Sequence, residues 1–224
     1  MAFSLPVVVL RADTEKAWWR FERPVAVLVA HHVRDVIPHL RRAEAAVGAE
    51  GLYAVGFVAY EAAPAFDPAL TVAPASSAVP LVWLGLFPPP AVLDDLPAAD
   101  DDFALGEWEP SVAAESYAEA IRQIKTQIAL GNTYQVNYTL RLRARFEGDP
   151  WALFRRLWQA QPTPYAAYIE TDTFAVCSAS PELFFRFEDG RVTARPMKGT
   201  APRGRTLAED EAQAQALRAS VKNR

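Results

Sequence analysis

The sequence predicts an α+β fold, and three features of it support this prediction. Short apolar runs rich in Val and aromatic residues recur along the chain, as expected of buried strands. Other segments carry apolar residues at helical spacing, with charged residues on the remaining faces. Residues 165–194 contain successive strand candidates joined by turns such as Asp189-Gly190, which is typical of hairpins.

The first half of the chain predicts three strands and one helix. Apolar residues recur at helical spacing over residues 33–47, and Gly48 is predicted to end this helix. The predicted strands are the apolar runs at residues 24–30, 52–60 and 81–87.

A change in composition predicts a boundary at residues 88–111. This stretch is rich in Pro, Ala and Asp and contains an acidic run at residues 100–102. Such a composition is typical of an exposed loop or of a linker between subdomains. We therefore predict an N-terminal subdomain over residues 1–110 and a second unit over residues 111–224.

The second unit predicts helices on either side of a series of strands. An apolar stripe that begins at Tyr117 predicts a helix ended by Gly131. Apolar and polar residues alternate over residues 133–146, which predicts a long strand. Thr206 and Glu209 form a capping box, and the helix that they begin is predicted to run to Arg224. The remaining predictions are a helix at residues 150–160 and strands at 165–170, 174–178, 183–187 and 191–194.

Composition excludes several classes of partner and site. The net charge is −4 and no basic stripe dominates, which argues against a nucleic-acid binder. The sequence contains no apolar run of membrane-spanning length, and its N-terminal residues do not resemble a secretory signal. A single cysteine, Cys177, fits a reducing compartment, and Cys and His residues show no metal-ligand spacing. We therefore expect a cytoplasmic protein with neither membrane nor nucleic-acid partners.

Lys198 is a candidate nucleophile and Glu182 a candidate acid. Lys198 lies between a proline turn and the pair Gly199-Thr200, shortly after Ser180-Pro181-Glu182. Lysine becomes a nucleophile only when its ammonium loses a proton, which requires desolvation or neighbouring positive charge. Arg195 and other arginines of the same loop could supply that charge and attract a carboxylate-bearing substrate. The alternative is a solvated surface lysine in a turn.

Several motifs of the chain occur together, in the same order, in one enzyme family. They are residues 131–137 (GNTYQVN), 162–165 (PTPY), 178–182 (SASPE) and 195–204 (RPMKGTAPRG), preceded by residues 56–61 (GFVAYE). These motifs resemble those of the chorismate-utilising enzymes, which include anthranilate, aminodeoxychorismate, isochorismate and salicylate synthases. The resemblance covers essentially the whole chain, but only the first half or so of a family member.

Two residues discriminate between the members of this family. Lys198 stands where anthranilate synthases usually carry a small residue such as Ala, and lysine there resembles aminodeoxychorismate synthase component I. Gln135 stands where isochorismate and salicylate synthases carry the lysine that activates water. Because glutamine cannot act as that base, Gln135 fits an enzyme whose nucleophile is not water.

The resemblance implies a mechanism for aminating chorismate at C4, a step of p-aminobenzoate and folate biosynthesis. Glu182 would protonate the C4 hydroxyl as it leaves, while neutral Lys198 attacks C2. Ammonia would then add at C4 and expel the lysine, giving 4-amino-4-deoxychorismate. Gln135, Gly199 and Thr200 would contact the substrate.

The resemblance also implies an architecture and accessory components. The fold would pack antiparallel sheets face to face with helices outside, incomplete here because residues 111–224 match only the first part of the catalytic domain. A separate glutamine amidotransferase would supply ammonia, and Mg²⁺ would bind to ligands in the missing C-terminal half. We therefore expect little activity from this chain alone.

Three alternatives remain open from the sequence. The first is anthranilate synthase component I, which Lys198 disfavours. The second is a non-catalytic fragment that binds a ligand or the amidotransferase. The third is a small anion-binding domain unrelated to chorismate, which the order of the motifs disfavours.

Overall fold

A computed structural model describes residues 5–12, 17–73, 78–99, 102–197 and 199–221. Contacts divide the chain into two compact units, Met1–Ala98 with Phe154–Arg224 and Ala99–Leu153. The subdomain boundary that the sequence analysis places at residue 110 stays a prediction. Among the described helices, none combines the length and the apolar character needed to cross a bilayer.

The described residues form short strands, four α-helices and one 3₁₀ turn at Tyr60–Ala65. The helices are α1 (Val33–Glu50), α2 (Ala114–Ala129), α3 (Pro150–Ala160) and α4 (Leu207–Ala219). The strands are β1 (Val7–Ala12), β2 (Ala17–Glu22), β3 (Ala26–Ala30), β4 (Tyr53–Val58), β5 (Val82–Phe87), β6 (Ala91–Leu93), β7 (Phe103–Leu105), β8 (Glu109–Pro110), β9 (Leu142–Arg143), β10 (Phe146–Gly148), β11 (Tyr165–Glu170), β12 (Ala175–Ser180), β13 (Leu183–Glu188) and β14 (Arg191–Arg195).

A five-stranded antiparallel sheet, in the order β12-β11-β1-β2-β6, organises the larger unit. Its central strand β1 pairs with β2 on one side and with β11 on the other. Val7, Val8 and Val9 are fully buried, so both faces of the strand are covered. A continuous apolar run is typical of a strand in this position. The sequence analysis did not predict β1 or β2.

A second antiparallel sheet, in the order β3-β5-β4, packs face to face with the first. The two sheets share one apolar cluster, so their inner faces together form the core. The five-stranded sheet contributes Val8, Phe21 and Ile169, and the three-stranded sheet contributes Val55, Trp83 and Phe87. The predicted packing of antiparallel sheets is therefore confirmed.

Helices cover the outer faces of this sandwich. Helix α1 packs on the three-stranded sheet through the buried side chains of Val36 and Ala43. Phe154 of α3 contacts two residues of the five-stranded sheet, with ring centroids 6.0 Å from Trp18 and 5.4 Å from Tyr168. The Phe154–Trp18 pair is edge-to-face, a geometry that stabilises by more than the buried area alone. The α+β fold class is therefore confirmed.

Two predicted helix ends were wrong. Helix α1 continues through Gly48 and stops before Gly51, whose φ of 65° is the left-handed conformation that ends helices. Helix α4 ends at Ala219 rather than at Arg224, because Ser220 is extended, and residues 222–224 lie outside the described part of the chain.

The long strand predicted at residues 133–146 was also wrong. Within this range only β9 and Phe146, the first residue of β10, are in strands, and these two strands pair with β8 and β7 of the same unit. Residues 134–141 belong to no sheet, and the side chain of Tyr134 is 90% exposed. Alternation of polar and apolar residues does not make a strand unless a neighbouring strand accepts its hydrogen bonds.

Two glycines provide a paired test of the packing. A Cβ at Gly56 of β4 would lie 2.0 Å from the carbonyl oxygen of Trp83 on β5, whereas a Cβ at Gly48 would meet nothing within 4 Å. We expect Gly56→Ala to lower the free energy of unfolding by about 1–3 kcal/mol or more. Gly48→Ala should raise it by about 0.5–1 kcal/mol, since Gly is the poorer helix former. Urea unfolding measures both, and equal effects would contradict the sheet register.

Candidate active site

Glu182 lies in the short connection between β12 and β13, where its backbone is fixed by Ser180. The backbone N–H of Glu182 donates to the Ser180 hydroxyl at 3.3 Å, and this hydroxyl donates to the carbonyl oxygen of Glu182 at 3.3 Å. Pro181 between them has a restricted φ and no N–H to satisfy. The Ser-Pro-Glu sequence therefore holds Glu182 in a defined turn.

The carboxylate of Glu182 contacts the loop that carries the candidate lysine. Its Oε1 accepts a hydrogen bond from the backbone N–H of Met197 at 3.0 Å. The contact forms because β13 and β14 pair antiparallel, with Leu183 opposite Arg195. The structure therefore brings the predicted acid next to the residue that precedes Lys198. Lys198 itself lies outside the described residues.

The β13–β14 hairpin follows from its turn sequence. Asp189 and Gly190 both have positive φ, 51° and 72°, as the type I′ turn of a two-residue hairpin requires. The register shifts between Leu183 and Arg186, which marks a bulge or irregularity at the end of the hairpin that carries Glu182. The predicted turn is confirmed.

One face of this hairpin forms a groove rich in arginine. The groove has a volume of about 400 Å³. Guanidinium groups bind carboxylates with paired hydrogen bonds, although two acidic side chains of the groove offset part of the positive charge. Its lining residues are Arg186, Glu188, Asp189, Arg191, Thr193 and Arg195.

Gly199 and Thr200 are exposed and lie in the loop between β14 and α4. The first half of the predicted capping box at the start of α4 is present, since the Thr206 side chain accepts from the Glu209 N–H at 3.2 Å. The Glu209 carboxylate accepts from the N–H of Arg205 at 2.7 Å.

Asp210 also contacts this loop, and the sequence analysis missed it. Its Oδ1 accepts from the N–H of Gly204 at 2.9 Å, and its Oδ2 lies 3.0 Å from the guanidinium of Arg203. Arg203 is therefore paired with a carboxylate. The sequence analysis considered only the positive charge of the arginines in this loop and did not predict this pairing. The Thr206 N-cap places residue 210 in the first turn of α4. This cap is the sequence signal that could have indicated the contact between Asp210 and the loop.

Gln135 belongs to the unit Ala99–Leu153 and is exposed. Its side-chain N–H donates to the Asn137 side chain at 3.2 Å, and its backbone carbonyl oxygen accepts from the Thr133 hydroxyl at 3.1 Å. Its predicted place beside the substrate stays a prediction.

The described residues do not bring together three His, Cys, Asp or Glu side chains that could hold a metal ion. The resemblance implies that the ligands of Mg²⁺ lie in the C-terminal half of a family member, and that expectation stays a prediction.

The family model for the chorismate binding enzyme matches residues 6–224, nearly the whole chain. The chain belongs to the chorismate binding enzyme family. This identification agrees with the motifs around residues 135, 182 and 198 that the sequence analysis singled out.

Individual relatives carry different names within this family. Over 117 residues the chain is 38% identical to aminodeoxychorismate synthase component 1 of Salmonella typhimurium, covering 52% of this chain and 26% of the relative. Over 104 residues it is 38% identical to anthranilate synthase component 1 of Aquifex aeolicus, covering 46% and 21%. The matched region is therefore about a quarter of each of these relatives.

A solved structure has the same fold as this chain. It is that of DhbC from Bacillus anthracis, described as a 2,3-dihydroxybenzoate-specific isochorismate synthase. The TM-score is 0.64 at 18% identity, covering 96% of this chain and 55% of that protein. The chain therefore spans only about half of that structure.

The Glu182 contact can be tested on the amide that it binds. Glu182→Ala removes the acceptor, so we expect the Met197 N–H to exchange with solvent faster, by a factor on the order of five. Glu182→Gln keeps a side-chain oxygen and should leave this exchange near the wild-type rate. Amide hydrogen exchange followed by NMR measures both variants. Equal rates in all three proteins would mean that the carboxylate does not hold the loop.

Proposed function

We propose that this chain is part of an enzyme that aminates chorismate at C4 to give 4-amino-4-deoxychorismate. The observation that carries the proposal is the hydrogen bond from the Met197 N–H to the Glu182 carboxylate, which joins the candidate acid to the lysine loop. Membership of the chorismate binding enzyme family and the similarity to aminodeoxychorismate synthase component 1 support it.

Glu182 has the proposed role of general acid. Its Oε1 accepts the hydrogen bond from the Met197 N–H, so Oε2 is the oxygen proposed to carry the proton. That proton passes to the C4 hydroxyl of chorismate, which leaves as water. A positioned general acid of this kind contributes about 10²–10⁴ in rate.

Lys198 has the proposed role of nucleophile. Its neutral amine forms a bond to C2 of chorismate, the ring double bonds shift, and the C–O bond at C4 breaks as Glu182 donates its proton. Ammonia then forms a bond to C4, the double bonds shift back, and the C–N bond to the lysine breaks. Splitting one difficult displacement into two easier ones is the general advantage of covalent catalysis.

Three further residues have proposed binding roles. Gly199 and Thr200 directly follow the nucleophile in the chain and would contact the substrate through backbone and hydroxyl groups. Gln135 would contact the substrate without activating water, since an amide has no basic nitrogen.

The proposed reaction needs a source of ammonia. The name of the Salmonella relative, component 1, implies a second component of that enzyme. We propose a glutamine amidotransferase as the partner of the whole protein. We also propose that the ligands of a Mg²⁺ ion lie in the part of the relatives that this chain does not match.

Anthranilate synthesis is the second candidate function. The relative from Aquifex aeolicus, an anthranilate synthase component 1, has the same 38% identity as the relative from Salmonella. The residue at position 198 favours the first candidate, because the nucleophile of the proposed mechanism is a lysine.

The proposed function predicts ammonia-dependent consumption of chorismate with Mg²⁺ present. The assay should compare the 224-residue chain with the product of the full native reading frame, and identify products by mass. Aminodeoxychorismate would support the proposal, and anthranilate, recognised by its fluorescence, would favour the alternative. A protein that binds chorismate but releases neither product would instead be a ligand-binding relative.

Two substitutions test the proposed roles in whichever form turns over chorismate. Lys198→Ala removes the nucleophile and should abolish aminodeoxychorismate formation or divert it to another product. Glu182→Gln keeps the oxygen that faces Met197 but cannot donate a carboxylic proton, so kcat should fall by about 10²–10⁴. Mass-resolved product rates measure both. Full activity in Lys198→Ala would remove lysine catalysis from the mechanism.

A further inference from the structure

The loop between β14 and α4 is held at both of its ends by carboxylates. At its start, the Met197 N–H donates to Glu182 at 3.0 Å, and near its end the Gly204 N–H donates to Asp210 at 2.9 Å. Lys198, Gly199 and Thr200 lie between these two attachments in the chain. We propose that Asp210 is a positioning residue for the Lys198-Gly199-Thr200 segment. The catalytic consequence of this role rests on the proposed function.

Asp210 does more than a carboxylate at a helix start normally does. An acidic residue in the first turn stabilises a helix through its dipole wherever its side chain points. Asp210 instead contacts two consecutive residues outside the helix, the backbone of Gly204 through Oδ1 and the guanidinium of Arg203 through Oδ2. Its side chain is 24% exposed, whereas that of Arg203 is 90% exposed. The carboxylate is therefore the sheltered partner of this contact.

The backbone of Asp210 is itself fixed. Its N–H donates to the carbonyl oxygen of Thr206 at 3.0 Å, the first hydrogen bond of α4. A charged acceptor attached to a helix moves little, and hydrogen bonds to charged groups are stronger than those between neutral groups. The contact therefore attaches the loop to the first turn of α4, a helix that has no buried residue of its own.

The packing at Gly204 supports the same role independently. A Cβ at this position would lie 2.2 Å from the backbone nitrogen of Asp210 and 2.6 Å from the carbonyl carbon of Glu209. No side chain fits there unless the loop moves away from the helix. The close approach of loop and helix thus requires glycine, as the hydrogen bond requires the carboxylate.

Attaching Gly204 to the first turn of α4 reduces the number of conformations open to the residues between Met197 and Gly204. A segment attached at one end only samples many more conformations than one attached at both. Displacement of a reacting group by about 1 Å can lower a rate by about 10²-fold. Asp210 would thus affect the chemistry at Lys198 without touching the substrate.

Hydrogen–deuterium exchange on the chain tests the placement of the loop directly. We expect Asp210→Ala to raise exchange severalfold in a peptide covering residues 197–205. Asp210→Asn keeps an oxygen acceptor for the Gly204 N–H but not the charge for Arg203. Its exchange in this peptide should therefore lie between that of Asp210→Ala and that of the wild type. The matched control is Glu211→Ala, which removes the exposed neighbouring carboxylate at the start of the same helix. Equal exchange in Asp210→Ala and Glu211→Ala would overturn the proposal.

Gly204→Ala tests the same role without changing any charge. It should raise exchange in the 197–205 peptide as Asp210→Ala does, while exchange over the later turns of α4 stays near that of the wild type. Unchanged exchange in the 197–205 peptide would contradict the close approach of loop and helix. Exchange that rises equally throughout α4 would show that the residues stabilise the helix rather than place the loop.

Activity gives a second, separate readout. In a form that turns over chorismate, Asp210→Ala should lower kcat by about 10- to 100-fold with a smaller change in KM, and Glu211→Ala should change neither. Wild-type kcat in Asp210→Ala would overturn the catalytic role. If the wild-type protein turns over no chorismate, the proposed function fails, and the exchange measurements still decide whether Asp210 places the loop.

Discussion

The pairing of β1 with β11 is the constraint on which the rest of the structure depends. Val7 lies opposite Glu170 and Leu10 opposite Ala167, so the first strand of the chain is hydrogen-bonded to a strand that follows the whole Ala99–Leu153 unit. This pairing makes Met1–Ala98 and Phe154–Arg224 one unit. It also closes the five-stranded sheet, since β2 and β6 lie on the other side of β1. Contacts of such long sequence separation cost loop-closure entropy, which the buried core offsets.

The candidate site is connected to this constraint strand by strand. Strand β11 pairs with β12 along its full length, from Tyr165 opposite Ser180 to Glu170 opposite Ala175. Ser180 is the last residue of β12, and its hydroxyl fixes the turn that presents Glu182. The position of the candidate acid thus follows from the sheet rather than from a flexible loop. Groups placed by rigid elements are held more accurately than groups placed by loops.

The sequence predicted local features well and long-range ones poorly. The Asp189-Gly190 turn and the Thr206 cap were predictable because each depends on a few adjacent residues. The strand at Val7–Ala12 was not predictable in this way, because it is a strand only through its hydrogen bonds to β2 and to the distant β11. The alternation over residues 133–146 misled for the same reason, since it carries no information about whether a partner strand exists. Glu182 could be singled out from its motif, whereas Asp210 becomes visible only when the loop is seen against α4.

The contact between Glu182 and Met197 is made to the backbone of the loop rather than to a side chain. The carboxylate binds a backbone N–H, which nearly every residue carries, so the attachment does not depend on which side chain follows. Nothing in this hydrogen bond depends on the side chain of Met197. Function then depends on a few side chains placed on a shared fold, as is general for large enzyme families. The comparisons accordingly show the fold and the family, whereas the role of Lys198 belongs to the proposed function.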